Sequence, residues 1–192
     1  MRALPGPERG RPDLDSLDVA GGSLDGLVDV ERQTAVTLWA ICGAPLYTGN
    51  DLTTLSDFGV ALLTHPTILA INSHPVPAVP LSRAQKTSAL TAIERYNHVA
   101  GSTVNSTQAG TATQVWVADY NNGTYTLAVF NLDPLPLHGC TLSLTAVTGV
   151  TRSVTANVTD VWQGLHLGTF VDTFKVGTVA SHGVRLFTLL AV

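Results

Sequence analysis

The stretch that decides the fold reads Val115-Trp116-Val117-Ala118-Asp119-Tyr120-Asn121-Asn122-Gly123-Thr124-Tyr125-Thr126-Leu127-Ala128-Val129. Asn-Gly at its centre tolerates the left-handed backbone of a tight turn, and it is the strongest short hairpin signal in the sequence. Val115 and Val117 lead into the turn, and Tyr125, Leu127 and Val129 continue beyond it. The same period of two recurs downstream. Leu142, Leu144 and Ala146 alternate with Thr141, Ser143 and Thr145; Val154, Ala156 and Val158 repeat the device; Val184, Leu186 and Leu190 follow Gly183. Because successive side chains of a strand point to opposite faces, such runs bury one face each. Several short strands separated by turn residues predict an antiparallel β-sandwich over residues 114–192.

Upstream the period changes from 2 to 3.6. Asp29 is placed to cap a helix in which Ala35, Trp39 and Cys42 recur at helical spacing, joined by Leu38 and Ile41. Its second half is apolar nearly all round, as expected of a helix covered on more than one side. Gly43 and Pro45 end it. Leu46-Tyr47-Thr48-Gly49 then forms an extended run at the lower length limit of a buried strand. Thr54-x-x-Asp57 resembles a capping box and opens a second helix with Leu55, Phe58 and Leu62 on one face. Pro66 starts a further helical turn that ends near Asn72. Helix, short strand, helix is a piece of α/β architecture. Residues 73–113 read as a linker or insertion: Pro75, Pro77 and Pro80, some helical character from Gln85 to His98, then a run rich in Gly, Ser and Thr.

Composition narrows the function classes. Hydrophobic residues make up 45% of the 192 and charged residues 12%, which describes a globular protein. The net charge of −4 comes from 14 acids and 10 bases without a basic cluster, so neither nucleic acid nor an anionic membrane is an expected partner. Apolar runs stop well short of the roughly 20 residues of a spanning helix. The segment Met1 to Pro12 lacks the apolar core of a signal peptide and reads as an irregular lead-in. Cys42 and Cys140 fit no metal or redox motif and are expected as buried free thiols. Neither they nor His65, His74, His98, His138, His166 and His182 show metal-ligand spacing, so no metal or other cofactor is predicted. Sequons at Asn105, Asn122 and Asn157 are common by chance in Thr- and Asn-rich β sequences and assign no compartment.

Three segments in order resemble the melibiase family, glycoside hydrolase family 27, which includes α-galactosidases. Pro12-Asp13-Leu14-Asp15-Ser16-Leu17-Asp18-Val19 is similar to the family's Trp-Asn-Asp-x-Asp-x-Leu stretch, with Arg11 and Pro12 in place of its Trp and Asn. Leu38-Trp39-Ala40-Ile41, Ala44-Pro45-Leu46, Gly49-Asn50-Asp51-Leu52 and Ile68-Leu69-Ala70-Ile71-Asn72 form the second. Asp160-Val161-Trp162, Leu167-Gly168-Thr169-Phe170 and Ser181-His182-Gly183-Val184 form the third. The resemblance implies an α+β mixture. Residues 1–72 would hold the last two β/α units of a (β/α)8 barrel, and residues 114–192 the family's C-terminal antiparallel β domain. The seventh strand would precede or include Asp13, and the eighth would be Leu46 to Thr48.

Barrel active sites lie at the C-terminal ends of the strands. By the resemblance, Asp13, Asp15, Asn50 and Asp51 would therefore face the mouth of the barrel, as substrate-binding or supporting groups. The family's retaining chemistry needs two carboxylates about 5–5.5 Å apart. Its nucleophile lies in a Lys-x-Asp-type motif, and neither Lys86 nor Lys175 leads into one, so no catalytic residue is assigned. Asp13 and Asp15, two apart in an extended segment, would point the same way; binding backbone N–H groups at a strand-to-loop junction is the favoured role. The expected partner is an α-galactoside or related sugar, engaged through a parent enzyme that hydrolyses terminal α-galactosidic bonds. The alternative is a non-catalytic β-sandwich that binds carbohydrate or stabilises a partner. Trp116 and Trp162 could serve there as sugar platforms, although burial in the sandwich core is the favoured reading. The family is often exported, but no export signal is present here, so the compartment is left open, as are the oligomeric state and the sugar preferred.

Overall fold

The computed structural model describes residues 11–19, 26–96, 103–106 and 112–192, with 91–96 and 103–106 as backbone only. The lead-in up to residue 10 lies outside the described residues, as do 97–102 and 107–111 of the Gly/Ser/Thr-rich run. The protein divides into two compact units, Met1–Val79 and Pro80–Val192.

In the first unit the backbone at Leu17 runs parallel to the backbone at Thr48 through a single bridge. The Leu17 N–H donates to the Tyr47 carbonyl at 2.7 Å. Parallel segments need a crossover connection, usually a helix. Here it is α1 (Asp29–Cys42), and the Thr48 limb leads on into α2 (Asp57–Thr64) and α3 (Pro66–Ser73). The Glu31 carboxylate accepts the Val28 N–H at 3.0 Å and holds the start of α1. Gly43, at φ 66°, ends it and donates its N–H to the Ala40 carbonyl. Ser56 caps α2 by accepting the Gly59 N–H at 3.0 Å. A Cβ at Gly59 would lie 2.7 Å from the Val19 carbonyl oxygen, so only glycine lets α2 approach the limb that carries Leu17.

At the junction lies β1 (Val79–Pro80), followed by α4 (Arg83–Ala89), β2 (Leu90–Tyr96), β3 (Thr103–Ser106), β4 (Thr113–Asp119), β5 (Thr124–Asn131) and β6 (Leu137–Ser143). Then come α5 (Leu144–Thr148), β7 (Thr155–Asp160), β8 (Leu165–Val171), β9 (Thr173–Val179) and β10 (Val184–Ala191). Among the described residues two sheets form, of order β1-β4-β5-β10-β7-β8 and β3-β2-β6-β9. The β4–β5 hairpin closes at Asp119 opposite Tyr125, with Asn121 at φ 59° and Gly123 at φ 82°. Inward residues of the larger sheet, among them Val115, Val117, Leu127, Val129, Phe187 and Leu189, share one buried cluster with Leu137, Cys140, Leu142, Phe174, Val176 and Val179 of the smaller. Two layers around one apolar core make this unit a mostly antiparallel β-sandwich.

Several expectations are corrected. Residues 73–113 contain β1, α4, β2 and β3, and β2 pairs with β6 in the smaller sheet. The division falls at 79/80 because backbone pairing recruits this low-hydrophobicity stretch into the sandwich. The alternating Leu142-to-Ala146 run is not one strand. Beyond Ser143 it turns into α5, since the Ser143 Oγ accepts the Ala146 N–H at 3.2 Å and Gly149 caps the far end at φ 72°. Leu46 to Thr48 forms only one bridge. The buried stripe of α1 is Val36, Ala40 and Ile41 with Arg32 and Thr37, while Ala35, Trp39 and Cys42 are partly exposed. Ser56 rather than Thr54 caps α2, and Val28 rather than Asp29 occupies the cap position of α1. Trp116 lies on the face of β4 opposite Val115 and Val117, so it is not part of the sandwich core.

Candidate functional site

The sequence-predicted residues sit around the Leu17–Thr48 bridge. Asp13 and Asp15 precede Leu17. The Asp13 Oδ1 accepts the Asp15 N–H at 2.9 Å, and the Asp15 Oδ1 accepts the Ser16 N–H at 2.8 Å. Asp15 itself takes φ 64°, a conformation short polar side chains tolerate. The segment is therefore a tight turn rather than extended, and the expectation that Asp13 and Asp15 point the same way along a strand does not hold.

Asn50 follows the second limb and joins it to the first. Its Oδ1 accepts the Val19 N–H at 2.9 Å and the Thr48 hydroxyl at 3.1 Å. Its Nδ2 donates to the Asp18 Oδ1 at 3.4 Å. Asp18 and Val19 come directly after Leu17, so the Asn50 carboxamide staples the two backbone segments that leave the parallel bridge. Gly49 makes the approach feasible, because a Cβ there would overlap the Ser16 Oγ. Asp51 belongs to a separate turn. It accepts the Thr53 hydroxyl at 2.7 Å and the Thr53 N–H at 2.9 Å, and these bonds, the hydroxyl first, hold its carboxyl below the ordinary carboxylate range. Among the described residues no hydrogen bond joins the Asp13–Asp15 turn to Asn50 or Asp51. The four predicted residues thus fall into three local groups.

Two further residues of this unit, quoted in the sequence analysis, were assigned no role there. Asp18 partners Asn50, and its only signal was its place one residue beyond Leu17. Asn72 is buried and donates Nδ2 to the Ala44 carbonyl at 2.8 Å, while its own carbonyl accepts from the Arg11 guanidinium at 2.9 Å. It ties the end of α3 to the end of α1.

In the sandwich, Trp116 is half-buried, packs edge-on to Phe130 with centroids 6.3 Å apart, and donates Nε1 to the Gln114 Oε1 at 3.0 Å. Trp162 is half-buried in the turn after β7. His182, at φ 52°, is the turn residue between β9 and β10. An open groove of about 450 Å³ runs beside α5, lined by Thr145, Gly149, Arg152, Ser153 and Asp172 among others. Asp172 is already engaged there, accepting the Val154 N–H at 2.8 Å and the Ser153 hydroxyl at 3.0 Å. Among the described residues no group of three or more His, Cys, Asp or Glu side chains could hold a metal ion, and no helix is long and apolar enough to cross a membrane. No disulfide joins the two cysteines; Cys140 is buried, but Cys42 is only half-buried.

The arrangement defines a class: a two-layer antiparallel β-sandwich joined in sequence to helices and a parallel bridge. Residues 110–189 match the family model described as the alpha galactosidase C-terminal beta sandwich domain. The protein is 26% identical over 179 residues to the one named "Probable alpha-galactosidase" of Dictyostelium discoideum, covering 92% of this sequence and 39% of that one. Among solved structures, alpha-galactosidase I of Mortierella vinacea superposes with a TM-score of 0.69 at 21% identity, over 92% of this protein and 38% of that one. An alpha-galactosidase of Saccharomyces cerevisiae solved with raffinose gives 0.69 at 17%, over 96% and 48%. Residues 110–189 thus match the sandwich domain of α-galactosidases, and over most of its length the protein is similar to the C-terminal portion of melibiase-type α-galactosidases. It spans less than half the length of these relatives.

Proposed function

We propose that this polypeptide is the portion of a retaining glycoside hydrolase for terminal α-galactosides that carries the last two β/α units of a (β/α)8 barrel together with the accessory sandwich. The catalytic aspartate pair, in this reading, belongs to polypeptide outside these 192 residues. One observation carries it: Leu17 and Thr48 pair in parallel and each limb leads into a helix, in a protein whose later residues match the α-galactosidase sandwich. Asp18, Asn50 and Asp51 follow the paired residues, on the side where barrel enzymes place their sites. Their oxygens and the Asn50 amide suit sugar hydroxyls, and Asn50 keeps the rim in shape.

The acids present support an inactive reading. Asp13 and Asp15 bind backbone N–H groups of their own turn, a structural use of a carboxylate. Neither Lys86-Thr87-Ser88 nor Lys175-Val176-Gly177 provides the family's Lys-x-Asp nucleophile. A retaining mechanism without a nucleophile and a proton donor does not proceed. The test is hydrolysis of an aryl α-galactoside by the purified protein, alone and co-produced with a polypeptide bearing six preceding β/α units of a family 27 enzyme. No turnover alone and turnover on co-production are expected. Robust turnover by the protein alone, lost in Asp13→Asn, would overturn the proposal.

The second reading, a non-catalytic carbohydrate-binding module, draws on the half-exposed Trp116 indole with its Gln114 partner. Galactose or galactomannan binding without turnover, abolished by Trp116→Ala or Trp162→Ala, would favour it.

A further inference from the structure

The tip of the β4–β5 hairpin holds a reactive arrangement that neither reading uses. Asn122 is the only asparagine in the sequence followed by glycine. It is exposed, and its Oδ1 accepts the Thr124 N–H at 2.9 Å. The Gly123 N–H donates to no acceptor among the described residues. Gly123 carries no side chain to hinder approach to the Asn122 carboxamide carbon, and as glycine it adopts its φ of 82° at no steric cost. The Thr124 N–H meets the carboxamide oxygen just where negative charge would build during attack on that carbon. A fixed donor at a developing oxyanion lowers the barrier to its formation.

We propose that Asn122 is a site of spontaneous intramolecular modification. The Gly123 backbone nitrogen, after losing its proton to solvent base, attacks the Asn122 carboxamide carbon. A C–N bond forms and closes a five-membered succinimide; the bond from that carbon to Nδ2 breaks, and the nitrogen leaves as ammonia once protonated. Water then adds across either imide C–N bond. Opening at one carbonyl gives aspartate, and opening at the other gives isoaspartate, in which the backbone runs through the former side chain. Nothing is oxidised or reduced, and water is the only co-reactant. The consequence reaches beyond the tip, because the Gly123 carbonyl accepts the Ala191 N–H at 2.8 Å. The extra methylene of isoaspartate shifts that carbonyl and loosens the end of the β5–β10 pairing, next to Leu190 opposite Thr124. The new carboxylate also lies close in sequence to Asp119, whose carboxylate accepts the Asn121 N–H at 2.8 Å.

The test is incubation of the full folded protein in mildly alkaline and in weakly acidic buffer, followed by peptide mapping with fragmentation that separates aspartate from isoaspartate. The peptide with Asn122 is expected to gain the mass of exchanging NH for O, faster in the alkaline buffer. Asn131 and Asn157 should stay intact over the same period. Hydroxylamine should trap the succinimide and cut the backbone after residue 122, and Asn122→Ser, which keeps a side-chain oxygen at the turn, should abolish both changes. An Asn122 peptide that keeps its mass under alkaline incubation, or converts no faster than those with Asn131 and Asn157, would overturn the proposal.

Discussion

Asp160 and Arg185 form an ion pair in which guanidinium Nε and Nη2 both reach a single carboxylate oxygen, at 2.9 and 2.6 Å. The other Asp160 oxygen accepts the Gln163 N–H at 2.8 Å and so holds the turn between β7 and β8. The carboxylate is 1% exposed, and the guanidinium also lies over the Phe187 ring at 5.3 Å. Removing one partner of such a pair strands the other charge. Asp160→Ala is expected to cost about 3–5 kcal/mol in urea unfolding, whereas a double replacement by apolar residues of matching volume should cost much less. Equal losses in the two variants would show that the pair does not act as a unit.

Phe174 on β9 and Phe187 on β10 meet edge to face across the two sheets, centroids 5.2 Å apart at 80°. Both are buried, so Phe174→Ala and Phe187→Ala should each lose about 3–5 kcal/mol from the transfer and cavity terms. A double-mutant cycle should return a coupling of about 0.5–1.5 kcal/mol. Full additivity would contradict direct contact between the rings.

Gly49 lies against Ser16, and the overlap a Cβ would create is with the Ser16 hydroxyl rather than with backbone. Gly49→Ala should therefore destabilise the first unit by about 1–3 kcal/mol, the usual range for overpacking. Adding Ser16→Ala should restore most of the loss, because the nearest atoms would then be the Asp18 Oδ1 at 3.3 Å, which needs only a small shift, and the Ser16 Cβ at 3.5 Å, an ordinary contact. Helical circular dichroism during thermal unfolding reads both variants. No restoration would mean that the contact with the Asp18 carboxylate, rather than the one with Ser16, keeps this position a glycine.

Burial pushes the Cys42 thiol from 9.0 up to about 11. A thiol that ionises later in the fold than in the unfolded state binds more protons when native. Its contribution is fully present below pH 9 and is lost as pH rises towards 11. Unfolding measured from about pH 8 to 11 should show the native protein losing stability relative to Cys42→Ala across that window. Alkylation of Cys42 should stay slow at about pH 8, since the thiolate is the nucleophile. Rapid labelling of the folded protein under those conditions would contradict the raised value.

How much of this was legible in the sequence follows from the range of the forces involved. The β4–β5 hairpin could be read because Asn121-Asn122-Gly123 sets its turn through bonds spanning two residues. The end of α1 at Gly43 and the start of α3 at Pro66 are equally local. The change of period near residue 114 separated β grammar from helical grammar, although it placed the start of the sandwich too late. Residues 80–113 carry few apolar side chains, and their membership of the sandwich rests on backbone pairing with β4 and β6 and on the burial of Ala89 and Leu90, which no local pattern announces.

The candidate site was less legible. Asp13, Asp15, Asn50 and Asp51 were picked out only through the resemblance to the melibiase family. Which of them interact depends on Leu17 and Thr48 coming together across the whole of α1. That contact gives Asn50 its partners Asp18 and Val19, and the left-handed Asp15 breaks the extended geometry that would have paired it with Asp13. Likewise, Leu144 to Thr148 had a strand's alternation and became a helix once Ser143 and Gly149 capped it. Alternation, caps and turn residues act within a few positions, so the amino-acid order alone determined a β-rich second half and its central hairpin. Ion pairs such as Asp160–Arg185, staples such as Asn50–Asp18 and membership of a sheet depend on distant segments meeting, and only the tertiary structure decided those.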